Sequence, residues 1–126
     1  MNNLLAIGLG GFLGAAGRYL LAGGIHRLMK TSWYPVGTLG VNVLGCLLIG
    51  FLSGLAEQRE IFSPAARLFL LVGFLGGFTT FSTFGYETFG LLREGQFLAA
   101  GANVFLQVIL GLAAVFGGYL LSRLLQ

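Results

Sequence analysis

Charged residues are scarce in this sequence of 126 residues: they make up 9% of it, against 56% hydrophobic residues and a mean hydropathy of +0.90. A soluble domain averages about 25% charged residues, so too few polar side chains are present to cover a water-exposed surface. The composition predicts an integral membrane protein. The few cations are scattered and form no basic stripe, so we expect no nucleic-acid partner.

Cysteine and histidine each occur once, at Cys46 and His26. A single cysteine excludes an intrachain disulfide, and no cluster of Cys, His and carboxylate residues indicates a metal-dependent enzyme. We therefore expect no enzymatic activity. The N-terminal stretch lacks a basic region and a small-residue cleavage site, and we interpret it as a retained first span.

Four apolar runs are each long enough to cross a bilayer as a helix. Polar stretches separate them, and Pro35 and Pro64 stand just before two of them, where proline suits the first helical turn. The sequence predicts an all-α integral membrane protein with one transmembrane domain, residues 1–126, and spans at residues 4–24, 36–56, 65–92 and 97–124.

The cations at the two ends of the predicted spans balance. Arg59, Arg67 and Arg123 fall on the side of the termini; Arg27, Lys30 and Arg93 fall on the other. Three cations on each side of the membrane give no preferred orientation by the positive-inside rule. Either the rule predicts a chain of this kind poorly, or the chain inserts in both orientations, which we favour. Dual insertion allows an antiparallel homodimer with a two-fold axis in the membrane plane.

The 22 glycines indicate close helix packing, and Gly10 and Gly14 form a GxxxG pair. Four short spans do not easily enclose a polar path alone, which also favours an oligomer.

Polar residues inside the predicted spans need partners or a water-filled path. Amides and hydroxyls either form hydrogen bonds between helices or donate hydrogen bonds to an anion. Arg18 either extends its guanidinium group to the lipid headgroups or supplies fixed positive charge. The Glu87 carboxylate has three interpretations: it takes part in proton coupling in a carrier, it is a structural partner of Arg18, or it lies at the end of a helix close to the interface. The other polar residues are Asn42, Thr79, Thr80, Ser82, Thr83, Asn103 and Gln107.

The stretch GFLGGFTTFSTFGYET, residues 73–88, interrupts the third apolar run. Adjacent Gly76 and Gly77 each cost a helix about 1 kcal/mol relative to alanine, which predicts a break at mid-membrane. Freed carbonyls suit a cation such as Na⁺, and freed amides suit an anion. Phe81 and Phe84, three residues apart, either pack or turn their positive ring edges toward an anion path.

The motif GFLGGFTTFSTF, together with GTLGVNVLG at residues 37–45 and GAAGRY at residues 14–19, closely resembles the Fluc or CrcB family of fluoride channels. The resemblance covers the chain from end to end. It implies passive fluoride export through an antiparallel homodimer in the bacterial inner membrane.

The resemblance also implies roles for individual residues. A structural Na⁺ at the dimer centre would bind the main-chain carbonyls of Gly76 and Thr79 from both subunits. Phe81 and Phe84 would line the pore, with Asn42 donating to fluoride and Arg18 attracting anions to the vestibule. Ser82 and Thr83 belong to the polar lining. Family members often carry hydroxyl residues on the fourth helix, where this chain has Asn103 and Gln107 as its candidate polar track.

Two further classes of function compete with a fluoride channel. A four-span proton-coupled multidrug-type transporter also suits balanced charges, although such a carrier needs a carboxylate where the first span has Arg18. A membrane scaffold without transport would tolerate changes at Asn42 and Phe81.

Overall fold

The structure, a computed structural model, describes residues 2–31 and 33–125, and only the backbone of Arg59. Three long helices account for most of these residues: α1 (Asn2–Met29), α2 (Val36–Arg59) and α6 (Phe97–Leu124). The third apolar run forms α3 (Pro64–Arg67), a π-helical stretch at Leu68–Phe74, α4 (Leu75–Phe78) and α5 (Phe81–Arg93). The prediction of an all-helical chain with four helical segments long and apolar enough to span a membrane is confirmed.

Local sequence signals set the ends of these helices. Ser63 caps α3 by accepting a hydrogen bond from the Ala66 amide at 3.2 Å, and Pro64 occupies the first helical position. Helix α2 ends where Glu60 adopts a left-handed conformation with φ of 46°. Gly95, with φ of +73°, allows the tight turn between α5 and α6.

Two residues within the third run have extended backbones: Thr79 (φ −90°, ψ 159°) and Thr80 (φ −152°, ψ 115°). The glycine pair predicted to interrupt the helix instead lies within α4. The prediction was therefore wrong about which residues depart from helical geometry. Glycine lowers helix stability, but hydrogen bonds made by the two threonines determine where the backbone changes direction.

Glycines allow the closest approaches between helices. A Cβ atom on Gly14 in α1 would collide with the carbonyl oxygen of Phe74, and one on Gly118 in α6 would collide with that of Leu47 in α2. Helix α1 thus packs on the π-helical stretch and α4, while α2 packs on α6. Such small-residue contacts suit membrane helices, which gain little from burying apolar side chains away from equally apolar lipid.

Apolar side chains cover the outside of the protomer. Leu98 is 90% exposed, Tyr19 80% and Phe12 71%, whereas the buried hydrophobic residues in the described ranges are few: Val41, Ala56, Leu75, Phe78, Leu91 and Ala100. This distribution suits a hydrocarbon environment rather than water. The chain is a multi-pass membrane protein.

Neighbouring glycines in α6 provide a matched test of this packing. We expect Gly118→Ala to destabilise the protein by about 1–3 kcal/mol, because the backbone of α2 leaves no room for a methyl group. Gly117→Ala should be neutral or slightly stabilising, since no atom lies within 4 Å of the position that its methyl group would take and alanine favours helix. Thermal unfolding in detergent measures both; equal midpoints for the two variants would contradict the packing described here.

Candidate functional site

The amide side chain of Asn42, in α2, pairs with the backbone of Thr80. Its Oδ1 accepts a hydrogen bond from the Thr80 N–H at 2.8 Å, and its Nδ2 donates to the Thr80 carbonyl at 3.1 Å. An extended residue between two helices exposes both of these backbone groups, and in a membrane each must find a partner. Asn42 therefore stabilises the extended pair from a neighbouring helix.

The side chain of Thr80 caps the N-terminus of α5. Its Oγ1 accepts a hydrogen bond from the Thr83 amide at 3.2 Å, donates to Thr83 Oγ1 at 3.0 Å, and lies 3.3 Å from Ser82 Oγ. The three hydroxyl residues of this segment thus form one cluster at the positive end of a helix of 13 residues.

The carbonyl oxygens of Gly76 and Thr79 are among those that lose their regular helical partners at this point. In a helix the Gly76 carbonyl would accept from the Thr80 amide and the Thr79 carbonyl from the Thr83 amide. These amides donate instead to Asn42 and to Thr80 Oγ1. Arg18 Nη1 donates to the Thr79 carbonyl at 3.2 Å. Carbonyls of an interrupted membrane helix are suitable ligands for Na⁺, so their chemistry fits the predicted cation, although Arg18 already contacts the Thr79 carbonyl.

A cleft of about 360 Å³ lies beside the extended pair. The rings of Phe81 and Phe84 meet edge to face, with centroids 5.4 Å apart and planes at 61°, and Phe81 is 82% exposed. The cleft therefore combines aromatic rings with polar groups. Its lining includes Asn42, Gly76, Thr79, Thr80, Phe81, Phe84 and Gln107.

The two predicted polar-track residues of α6 occupy different surroundings. Gln107 lines the cleft, and its Oε1 accepts a hydrogen bond from Asn42 Nδ2 at 3.0 Å. Asn103 is fully buried and donates through Nδ2 to Thr88 Oγ1 at 2.9 Å, and Thr88 in turn donates to the Phe84 carbonyl at 2.8 Å. Their spacing of four residues correctly places them on one side of α6, but only Gln107 joins the lining of the cleft.

Glu87 lies apart from Arg18. Its Oε1 accepts a hydrogen bond from Thr38 Oγ1 at 2.8 Å, so the interpretation of Glu87 as a partner of Arg18 was wrong. Thr38 was not among the predicted polar residues, although it lies four residues before Asn42 and therefore on the same face of α2. The carboxylate borders a second cavity of about 280 Å³, which His26, Trp33, Tyr34 and Glu94 also line. Burial raises the pKa of the Tyr34 phenol at this end of the spans.

The fold and the cleft define a small multi-pass membrane protein with a polar site between its apolar helices. The family described as "CrcB-like protein, Camphor Resistance (CrcB)" matches residues 5–119. The chain therefore belongs to the CrcB-like family, as its motifs predicted.

Curated relatives match almost the whole chain. A protein of Chlorobaculum tepidum is 48% identical over 126 residues, covering 100% of this chain and 98% of its own. One of Geobacter sulfurreducens is 47% identical over 123 residues, covering 98% of each chain. Both are named "Fluoride-specific ion channel FluC". The relatives are thus bacterial ion channels rather than enzymes.

Replacing Asn42 by leucine tests its pairing with Thr80. The variant leaves the Thr80 amide and carbonyl without their partner, and each orphaned group costs about 1–3 kcal/mol. We expect a markedly lower unfolding midpoint in detergent than for Leu44→Ala, a change at a partly exposed position of the same helix. Similar midpoints for the two variants would show that Asn42 does not hold the extended pair.

Proposed function

We propose that the chain is a fluoride-selective channel that lets toxic fluoride leave the bacterial cytoplasm passively across the inner membrane. The relatives named as fluoride-specific channels support the anion. The observation that carries the proposal is the cleft beside Thr79 and Thr80, where hydroxyls, two side-chain amides and two aromatic rings meet. Neutral HF enters cells and ionises, and the membrane potential then drives the fluoride anion outward.

The chemistry of the cleft suits a small anion. The positive end of α5 offers partial positive charge, as do the hydroxyls of Ser82 and Thr83, which lie outside the cleft lining but contact Thr80 within it. The rings of Phe81 and Phe84 can add to it through their positive edges. Arg18 supplies a full positive charge near the same segment. None of these groups binds an anion very tightly, and conduction requires an ion to leave as readily as it enters.

An antiparallel homodimer would complete this site. Ser82 and Thr83 are exposed on the protomer, and Phe81 beside them is 82% exposed. Polar groups inside a membrane rarely face lipid, because no water is there to solvate them. A second copy of the chain, inserted the opposite way, would cover this face, and the balanced cations at the two ends of the spans favour both orientations.

A structural Na⁺ fits the same dimer. We place the interruption of the third span at mid-membrane, where the two-fold axis would bring together the Gly76 and Thr79 carbonyls of both copies. Four carbonyl oxygens form a suitable ligand set for a hard cation, whereas a single pair does not. Because Arg18 donates to the Thr79 carbonyl, its guanidinium would need to share or yield this oxygen when the cation binds.

Fluoride efflux from proteoliposomes tests the proposed function. Vesicles loaded with potassium fluoride should empty rapidly once valinomycin relieves the charge imbalance, and vesicles loaded with chloride should retain their ion.

Phe81→Ile should slow the efflux by removing a ring edge, whereas Phe105→Ile, at a 63% exposed position of α6, should not. Equal leakage of both anions would contradict the proposal. Efflux that requires a proton gradient and is lost in Glu87→Gln would support a proton-coupled transporter instead.

Thiol labelling tests the dual orientation. In a Cys46→Ser background, Glu94→Cys and Glu57→Cys place a thiol at opposite ends of the spans. A membrane-impermeant maleimide added outside intact cells should label roughly half of each variant, since a population without a positive-inside preference inserts both ways. Complete labelling of one variant and none of the other would show a single orientation.

A further inference from the structure

The second cavity, of about 280 Å³, lies farther along α2 and α5 than the cleft, at the end of the spans where α1 connects to α2 and α5 to α6. On α2, Thr38 lies four residues before Asn42 of the cleft lining, and on α5, Glu87 lies three residues after Phe84. Each is therefore about one helical turn from the cleft. An anion that leaves the cleft toward this end of the spans meets the second cavity next.

Carboxylates border this cavity. Glu87 Oε1 accepts the hydrogen bond from Thr38, and its other oxygen, Oε2, is buried and has no hydrogen-bond partner among the described residues. Glu94 is exposed at the rim and accepts a hydrogen bond from Gln96 Nε2 at 3.1 Å. Negative charge repels an anion, so a compensating positive charge here would ease the passage of fluoride.

His26, the single histidine of the sequence, borders the same cavity. The Thr31 carbonyl lies 3.3 Å from Nδ1, and because a carbonyl only accepts, Nδ1 carries the hydrogen of the neutral ring. Nε2 is then the nitrogen that gains a proton. It lies against α2, where a methyl group added to Gly37 would come within 3.1 Å of it. Since Gly37 directly precedes Thr38, the new charge arises beside the Thr38–Glu87 pair, and it acts electrostatically on the Glu87 carboxylate.

No other group of the described residues supplies a switchable positive charge to this cavity. Helices α2 and α6 carry no charged residue at this end of the spans. Tyr34 also lines the cavity, but burial raises the pKa of its phenol, which keeps the ring neutral. Histidine is the side chain whose charge ordinarily changes between about pH 5 and pH 8. The cations near this end, all exposed and outside the cavity lining, are Arg27, Lys30 and Arg93.

We propose that His26 makes the channel sensitive to pH: protonation at Nε2 offsets the carboxylates of the second cavity and raises the fluoride conductance. The inference rests on the proposed fluoride channel and deepens it. More fluoride is present as neutral HF in acidic surroundings, so fluoride then enters the cell faster. In the proposed antiparallel dimer one copy of the cavity faces each side of the membrane, and the outer copy senses that acidity. Conductance thus rises when the fluoride load rises.

Planar-bilayer recordings test this response. Sodium fluoride and buffer are the same on both sides, and neutral HF carries no current, so only the anion is counted. We expect a conductance about two- to fivefold higher near pH 5.5 than near pH 8, the size of the interaction between unit charges about 4–8 Å apart in water. His26→Gln should keep the lower conductance at both pH values. His26→Lys, which stays charged, should keep the higher one.

Tyr34→Phe is the matched control, because it removes the other ionisable ring of the cavity and should keep the pH response. A response that persists in His26→Gln, or one that Tyr34→Phe also abolishes, would assign it to something other than the imidazole and overturn the inference. Conduction that does not change with pH in the unchanged protein would overturn the inference and leave the channel intact. An absence of fluoride current at every pH would contradict the proposed function as well.

A measurement on the unchanged protein does not depend on whether a variant folds. With any purification tag removed, protein labelled with ¹⁵N at histidine and held in nanodiscs shows the imidazole resonances of His26 alone. At a fixed pH where the ring is partly protonated, sodium fluoride should increase the protonated fraction, because linkage between two binding events is reciprocal. The same concentration of sodium chloride should not. A protonated fraction that is equal in the two salts would contradict the inference.

Discussion

The pairing of one side-chain amide with one backbone residue, Asn42 with Thr80, is the interaction on which the rest of the site depends. It satisfies the amide and the carbonyl that an extended residue exposes between two membrane helices. Because the Thr80 amide bonds to Asn42, the Gly76 carbonyl is released from helical bonding. Because the backbone turns there, Thr80 also caps α5 and gathers the hydroxyls of Ser82 and Thr83. Without this interaction both backbone groups of Thr80 would be left without their partner inside the membrane.

The helices around this site follow a different physical rule. Lipid is as apolar as leucine, so burying large side chains between membrane helices contributes little, and close backbone contact contributes more. Gly14 provides such a contact between α1 and the third run, and Gly118 provides one between α6 and α2. Most large apolar side chains of the described residues instead face outward. Donors held at fixed positions by close backbone contacts would discriminate against an ion larger than fluoride.

The sequence predicted the helices well, because each apolar run is long and the polar breaks between the runs are clear. Of the candidate site residues, Asn42, Gly76, Thr79, Phe81, Phe84 and Gln107 line the cleft, whereas Ser82, Thr83 and Asn103 do not. The sequence predicted the backbone interruption at Gly76 and Gly77, since the low helix propensity of glycine was the only local signal. The interruption two residues later depends on Asn42, a residue 38 positions from Thr80 in the sequence, which no local pattern reveals. The different surroundings of Asn103 and Gln107 were hidden for the same reason, because spacing on one helix does not say which neighbour each residue meets.

A bi-ionic reversal potential tests the central claim most directly, namely that this cleft conducts fluoride and rejects chloride. The purified protein is placed in a planar bilayer with fluoride on one side and chloride at the same concentration on the other, and the zero-current voltage is measured. We predict a large reversal potential of the sign that fluoride permeation requires, on the order of 60 mV for each tenfold of selectivity by the relation between free energy and charge. A reversal potential near zero, with measurable current, would show that the two anions pass alike and would contradict this claim.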